Sequence, residues 1–219
     1  MSKLFNSNNI FMQTVDRFFT FCMLNIFTVV CCLPIVTVGA ALTACSKAMQ
    51  EMVTDPEAAV GKIYFQTFKK CFWQSTVLWL INLPILAFVI VDAVLLHYNF
   101  SGPMAVVTYV VLGVVAFLTL SVDAFAFQMI PRYADTLKNH ISNAFYLATR
   151  NLHRTIPLVV LAICPFVIAA LAPMFFFKTI VLWMFIGISC IVFLHTQLVL
   201  PVLLDTEETD EETTQEAEL

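Results

Sequence analysis

Charged residues are scarce in this sequence, since Asp, Glu, Lys and Arg together make up only 12% of its 219 residues. In a typical soluble domain, about a quarter of the residues are charged. Hydrophobic residues account for 60% of the chain, and a soluble protein so apolar would have too little polar surface to cover itself. The composition therefore excludes an ordinary soluble domain and favours an integral membrane protein.

Glycine is also rare, with five residues in the chain, and the motifs of common enzymatic chemistry are missing. There is no glycine-rich phosphate loop, no nucleophile elbow, no His-Glu-x-x-His motif and no basic patch typical of nucleic-acid binding. We therefore predict no enzymatic activity, no cofactor, no metal and no nucleic-acid partner. An intramembrane enzyme is the weakest alternative, because no acid, base and nucleophile converge at one depth.

The seven cysteines lie mostly inside apolar runs, and no two of them form a Cys-x-x-Cys motif. Their number is odd, which does not suit a complete disulfide framework. We interpret them as soft apolar packing residues rather than as disulfide partners or metal ligands.

Five apolar segments are long enough, or nearly so, to cross a bilayer as helices. They are residues 18–38, 75–97, 103–130, 155–171 and 179–204. The predicted fold class is all-α, a polytopic membrane helical bundle with about five transmembrane helices. Residues 1–204 are predicted to form a single membrane domain, and the acidic residues 205–219 a disordered tail.

Basic residues set the predicted orientation, because cytoplasmic loops are enriched in Lys and Arg. One basic loop follows the first span and another follows the third, whereas the two other turns hold only Lys178. Both basic loops and the acidic C-terminus are therefore predicted to be cytoplasmic. An odd number of spans places the N-terminus outside. Alternatively, Pro34 and Gly39 break the first segment into a re-entrant pair, and the N-terminus lies inside.

Each basic loop contains a pattern that predicts an amphipathic helix on the cytoplasmic membrane surface. In the first loop, Asp55-Pro56-Glu57 is typical of a helix start, and apolar residues then recur every fourth position from Val60 to Phe72. In the second loop, a similar apolar stripe runs from Tyr133 to Leu152. These helices either pack on the protein's own spans or present a docking surface. The candidate docking residues are Lys69, Lys70, Lys138, Arg150 and Arg154.

A short internal repeat accompanies these helices. Lys70-x-Phe72-x-Gln74-Ser75 precedes the second predicted span, and Arg150-x-Leu152-x-Arg154-Thr155 precedes the fourth. Each segment places basic residues and a small hydroxyl before a span. Parallel repeats occur in membrane proteins, although convergent anchoring at the membrane interface explains the match equally well.

Polar side chains inside the predicted spans need a reason, because charge is costly in lipid. Asp92 lies near the external end of the second span. Asp123 and His195 lie deeper, at comparable distances from the cytoplasmic ends of their spans, and are predicted to form a buried polar pair. The pair is either a structural interhelical bond or a site that carries protons. Further interhelical hydrogen bonds are predicted for Asn25, Asn82, Gln128 and Gln197.

The segment from Leu24 through the break to Ala44 resembles the signature of the YesL family, bacterial membrane proteins of unknown function. Residues 68–76 and 131–155 resemble two further blocks of that family. The family often has proline after the glycine of the first motif, where this chain has Ala40, so a softer bend is expected. The residues that carry the resemblance are Asn25, Pro34, Thr37, Gly39, Lys47, Gln74, Arg132, Asn143 and Thr155.

Members of the YesL family commonly lie in gene clusters beside sugar ABC importers. The resemblance therefore implies a non-enzymatic accessory protein of the plasma membrane that takes part in carbohydrate uptake. Its partners would be the lipid bilayer and subunits of a sugar importer. The alternative is a small secondary transporter that uses Asp123 and His195, and a homo-oligomer is left open under either hypothesis.

Overall fold

The computed structural model describes residues 10–55, 58–99 and 102–217, and this part of the chain is almost entirely helical, with no strand. The predicted all-α fold class is confirmed. The helices are α1 (Ile10–Cys32), α2 (Val38–Thr54), α3 (Val60–Asn99), α4 (Pro103–Met129), α5 (Leu137–Arg150), α6 (Leu152–Leu171), α7 (Pro173–Leu182) and α8 (Ile188–Ala217).

Five helical segments of the described chain are long and apolar enough to cross a membrane. Their number agrees with the prediction from the sequence, and helices are the form in which most backbone polar groups of a lipid-exposed segment find partners. The five segments are Val15–Cys32, Val60–Asn99, Pro103–Met129, Leu152–Leu171 and Phe176–Glu207.

The first span ends earlier than the apolar run that predicted it. Helix α1 stops at Cys32, and Pro34 then precedes a short 3₁₀ turn, Ile35–Thr37. Proline lacks a backbone N–H and interrupts helical hydrogen bonding. The Thr37 hydroxyl donates to the Cys31 carbonyl at 2.6 Å, which satisfies one open carbonyl at the end of α1. A continuous helix over 18–38 is therefore wrong, and the alternative was right to place a break at Pro34.

Helix α2 lies inside the bundle and packs against α1, α3, α4 and α8. Small side chains let helix backbones approach closely, and four alanines of α2 are almost fully buried: Ala40, Ala41, Ala44 and Ala48. At Gly39, a Cβ atom would collide with the carbonyl oxygen of Ser75 and the Cβ of Trp79 on α3. The contact between α2 and α3 therefore requires glycine at this position.

Helix α3 corrects the prediction of a separate amphipathic helix in the first basic loop. The segment from Val60 to Phe72 is the first part of one helix of 40 residues that continues to Asn99. Val60 and Tyr64 are buried against residues of α1 and α2, so the apolar stripe packs on the protein itself. Pro56 and Glu57, part of the predicted helix start, lie outside the described residues.

Helix α5 confirms a helix in the second basic loop, although its buried face is shifted from the predicted stripe. Thr136 caps its first turn by accepting a hydrogen bond from the Asn139 N–H. The predicted stripe included Phe145 and Leu152, but each is about half exposed, at 48% and 49%. The residues that α5 buries are His140, Ala144, Leu147 and Ala148.

The helical conformation is interrupted at Asn151, between α5 and α6. The Asn151 side chain donates to the Leu147 carbonyl at 3.1 Å. Thr155, in the first turn of α6, donates from its hydroxyl to the Ala148 carbonyl at 2.8 Å. The Leu147 carbonyl also accepts from the Asn151 backbone N–H, so Thr155 is the side chain that supplies a donor to a carbonyl left open at the end of α5.

The last predicted span consists of α7, a π-helical turn at Trp183–Gly187 and α8. Helix α8 continues to Ala217, whereas the sequence predicted a disordered tail from residue 205. The ion pair between Glu207 and Arg132 anchors the first turn of that acidic segment to the connection before α5. The boundary at 204 therefore does not coincide with the end of the helix.

Candidate functional site

The predicted polar pair of Asp123 and His195 is replaced in the structure by two separate interhelical contacts. Asp123 on α4 is buried and accepts a hydrogen bond from the amide of Asn82 on α3. The Nε2 atom of His195 on α8 lies 3.0 Å from the carbonyl of Leu158 on α6. Within the described residues, no ion pair or hydrogen bond joins Asp123 to His195. Both contacts are of the kind that holds transmembrane helices together.

Three of the predicted interhelical residues form such bonds, with partners that the sequence did not identify. The Asn25 amide donates to the Met184 carbonyl at 2.6 Å and accepts from the Ser189 N–H at 2.7 Å, which joins α1 to both ends of the π-helical turn. Gln128 on α4 accepts from Gln50 on α2 at 2.8 Å. Asn82 bonds Asp123, as described above, whereas Gln197 is exposed on α8.

Gln128 also extends this network to α8. Its amide nitrogen lies 3.2 Å from the hydroxyl of Thr196. Gln50, Gln128 and Thr196 are all buried, so their bonds join three helices in the apolar interior. No reactive or titratable group belongs to this network, and we interpret it as structural.

The segments predicted as the two basic loops meet at one end of the bundle. Two of the residues that carry the family resemblance, Gln74 and Arg132, make the contacts there. The Gln74 amide on α3 donates to the carbonyl of Asp135 at 2.9 Å. Arg132 forms a two-pronged ion pair with Glu207 on α8, with bonds of 2.7 and 2.6 Å. Paired bonds of this kind fix orientation as well as distance. The connection before α5 is thus tied to α3 on one side and to α8 on the other.

These contacts border a cavity of about 600 Å³ between the connection, α5 and α8, which we name the α5 groove. Its volume lies in the range of small-molecule pockets. The residues of the groove that bear on its chemistry are Tyr133, His140, Asn143, Tyr146, Arg150 and Glu207.

Some hydrogen-bonding groups in the groove already have partners within the protein, and others do not. His140 is 1% exposed, and its Nε2 atom has no partner among the described residues. Buried polar atoms normally have partners, but this nitrogen is itself enclosed, so a group in the groove reaches it only if the surrounding side chains move. Asn143 and Arg150 are exposed on the same helix, whereas Glu207 is held by Arg132.

The charges at the groove are set by burial and by hydrogen bonds. Burial lowers the pKa of His140, although nearby Asp135 opposes the shift, so the imidazole is neutral at pH 7. Burial, with the adjacent Glu207 carboxylate, raises the pKa of Tyr133 to about 12, so its hydroxyl stays protonated. Hydrogen bonds from the Thr136 N–H and the Asn139 amide lower the pKa of Asp135. Among the described residues that line the groove, Arg150 is a cation with no ion-pair partner, and Asp135 is an anion of the same lining.

The predicted docking residues separate into three groups. Lys138 and Arg150 are exposed on α5, and Arg150 alone lines the groove. Lys69 and Lys70 are exposed on α3, where Lys70 lines a second, smaller cleft with Lys47. Arg154 is only partly exposed and its guanidinium lies 3.4 Å from the Leu198 carbonyl, which connects α6 to α8.

Sequence reasoning did not identify His140 or Tyr146 as groove residues. The helical spacing of His140, Ala144, Leu147 and Ala148 was available as a signal, but the more apolar stripe through Phe145 obscured it. Within the part of the chain that the structure describes, no group of three or more His, Cys, Asp or Glu residues could hold a metal ion. The seven cysteines, all described, are free thiols.

Comparison with known families gives one match. A family model for a protein of unknown function, DUF624, matches residues 19–93, from α1 to the second half of α3. This region contains the segments 24–44 and 68–76, but not the segment 131–155. No curated protein and no solved structure matches the chain.

Proposed function

We propose that this protein is a non-enzymatic accessory protein of the YesL type. In this proposal, its α5 groove receives a segment of a membrane partner, a subunit of a sugar ABC importer. The observation that carries the proposal is the groove itself, which combines Arg150, a cation with no ion-pair partner among the described residues, with the exposed amide of Asn143. The DUF624 match over residues 19–93 supports the resemblance from which the importer is inferred.

The position of the groove supports a cytoplasmic docking role. The contact of Gln74 with Asp135 brings both basic segments to the same end of the bundle, and basic segments are retained in the cytoplasm. Arg150 would pair with a carboxylate of the incoming segment, while the exposed amide of Asn143 offers hydrogen bonds. Tyr146 is 57% exposed and supplies an aromatic surface of the kind enriched at protein interfaces.

The structure gives less support to the alternative, a small secondary transporter. Such a carrier needs a titratable group that changes its protonation during the transport cycle. Asp123 is bonded to Asn82, and His195 lies against a backbone carbonyl, so each already has a structural role. Uptake by proteoliposomes that contain only this protein would nevertheless favour the carrier, particularly if Asp123→Asn abolished it in a folded protein.

A photo-crosslinking experiment tests the docking proposal. A photoreactive amino acid is placed at Asn143, inside the groove, and at Lys138, which is exposed on α5 but does not line the groove. After irradiation of native host membranes, crosslinked partners are identified by mass spectrometry. We expect an importer subunit to be captured from position 143, and capture to fall at least tenfold when Arg150→Glu is added.

Position 138 provides the matched control, with weaker capture that Arg150→Glu changes little. Topology is measured in parallel by labelling Lys138→Cys with an impermeant reagent in intact cells. Labelling from outside would contradict the cytoplasmic orientation. Failure to capture an importer subunit from position 143, or capture unaffected by Arg150→Glu, would overturn the docking proposal.

A further inference from the structure

The first half of α3 has one face that the fold leaves open. Its opposite face is buried, through residues such as Tyr64 and Cys71. The open face carries three lysines and two large aromatic side chains, with Trp73 76% exposed and Phe65 45% exposed. No acidic residue lies on this part of α3. The exposed residues are Lys62, Phe65, Gln66, Lys69, Lys70 and Trp73.

The length of α3 places this face near a membrane surface. With 40 residues and a rise of about 1.5 Å per residue, the helix is about 60 Å long, roughly twice the thickness of the hydrocarbon core. Its second half forms the apolar span, so its first half extends to or beyond the interface. Tryptophan and lysine are the side chains that favour this level, where a ring meets the lipid and an ammonium meets the headgroups.

A cleft lies beside this face. It has a volume of about 270 Å³ and lies between α2, α3 and Pro131, with Lys47, Glu51, Gln66, Thr67 and Lys70 among its lining residues. The Glu51 carboxylate lies 2.7 Å from the Lys47 ammonium, so these two charges largely compensate each other. Lys70 has no ion-pair partner among the described residues, and it leaves the cleft with a net positive charge.

We propose that this cleft and the adjoining lysine face bind the headgroup of an anionic phospholipid. Lys70, with Lys69 beside it, attracts the phosphate, and the Gln66 amide in the cleft supplies a hydrogen bond. Trp73 lies one turn further along the same face, at the boundary between headgroup and acyl chain. The site is independent of the docking proposal, since it uses α3 and requires no protein partner.

Native mass spectrometry of the purified full chain tests this proposal. The protein is titrated in detergent with phosphatidylglycerol and, separately, with phosphatidylcholine of the same acyl chains. We expect phosphatidylglycerol to bind at least tenfold more tightly. The double variant Lys69→Gln, Lys70→Gln should lose about fivefold per lysine, because each basic residue near an anionic surface contributes roughly that factor.

The matched control is Lys138→Gln, Lys178→Gln, which removes the same charge from exposed positions on α5 and α7 and should keep the preference. Equal binding of the two lipids by the wild type, or equal losses in the two double variants, would overturn the proposal. Competition separates a headgroup from a free anion: displacement by millimolar inorganic phosphate would assign the site to a soluble anion and refute the lipid. All four substituted side chains are exposed, and matched thermal unfolding verifies that the variants are folded.

Discussion

The two copies of the short repeat fold differently at matched positions. Around Ser75, helix α3 continues without interruption, whereas the corresponding segment before Thr155 is divided at Asn151 into α5 and α6. Two residues after the hydroxyl, the first copy has Val77 and the second has Pro157. Pro157 lies inside α6, and the carbonyl four residues before it, which a proline crowds, belongs to His153, already past the break. The break at Asn151 is stabilised instead by the side-chain bonds of Asn151 and Thr155 to carbonyls of α5.

The hydroxyl groups of Ser75 and Thr155, which occupy matched positions in the two copies, also differ in their hydrogen bonding. Thr155 donates to the Ala148 carbonyl across the break at 2.8 Å, while the buried Ser75 hydroxyl has no partner among the described residues. A basic stretch followed by a hydroxyl therefore marks the approach to a span, and nearby residues decide whether the helix continues. In the second copy the helix is interrupted, and α5 forms a wall of the groove. In the first copy the helix is continuous, and the lysines of α3 are exposed on its surface.

The largest loss of stability is expected at the contact between α2 and the first copy of the repeat, which lies in the uninterrupted helix α3. Gly39→Ala inserts a Cβ against the Ser75 carbonyl and Trp79, and neither can move without shifting α3. We expect a loss of about 3 kcal/mol, as in an overpacked core, measured by thermal unfolding in detergent. Gly113→Ala is the control, because a Cβ there meets nothing within 4 Å. Equal melting temperatures for the two variants would show that α2 and α3 are not in close contact.

A smaller effect should distinguish the two hydroxyls. Thr155→Val keeps the side-chain shape but leaves the Ala148 carbonyl without this donor, at a cost of about 2 kcal/mol. Ser75→Ala removes a hydroxyl that bonds nothing among the described residues, and we expect stability within about 0.5 kcal/mol of wild type. Unfolding of both variants under the same conditions gives the comparison. A loss from Ser75→Ala as large as that from Thr155→Val would mean that the copies are equivalent.

The smallest effect concerns the ion pair near each copy. Arg132 and Glu207 join the connection to α8 through two bonds, whereas Lys47 and Glu51 are neighbours on one helix. Double-mutant cycles with glutamine substitutions should give a coupling of about 1 kcal/mol for the first pair, at the upper end for partly exposed pairs. The second should give about 0.4 kcal/mol. A larger coupling for Lys47 and Glu51 would reverse the expected order.

The spans could be predicted because lipid imposes a length and an apolar composition that are local properties of the chain. The break at Pro34 was predictable for the same reason, since proline acts at its own position. The continuity of α3 was not, because Asp55-Pro56-Glu57 indicates where a helix can start but gives no information on where it ends. The acidic segment after residue 204 was assigned from its composition, which does not reveal the ion pair of Glu207 with Arg132.

The candidate site was less predictable, because it depends on which helices are neighbours. Asp123 and His195 lie at similar depths in their spans, and depth alone made them plausible partners. Lateral position decides the actual contacts, so Asp123 meets Asn82 and His195 meets Leu158. The α5 groove combines residues from the connection, α5 and α8, and no single segment contains its pattern.

The hydrogen bonds of Asn25 have a consequence for how the protein is made. Asn25 lies in the first helix, but its partners Met184 and Ser189 lie 159 and 164 residues later. During synthesis, α1 emerges from the ribosome long before these partners exist. Its amide must therefore be kept hydrated, or be bound by the insertion machinery, until the last helix is delivered. A chain truncated before residue 184 would lack both partners of this amide in its first helix.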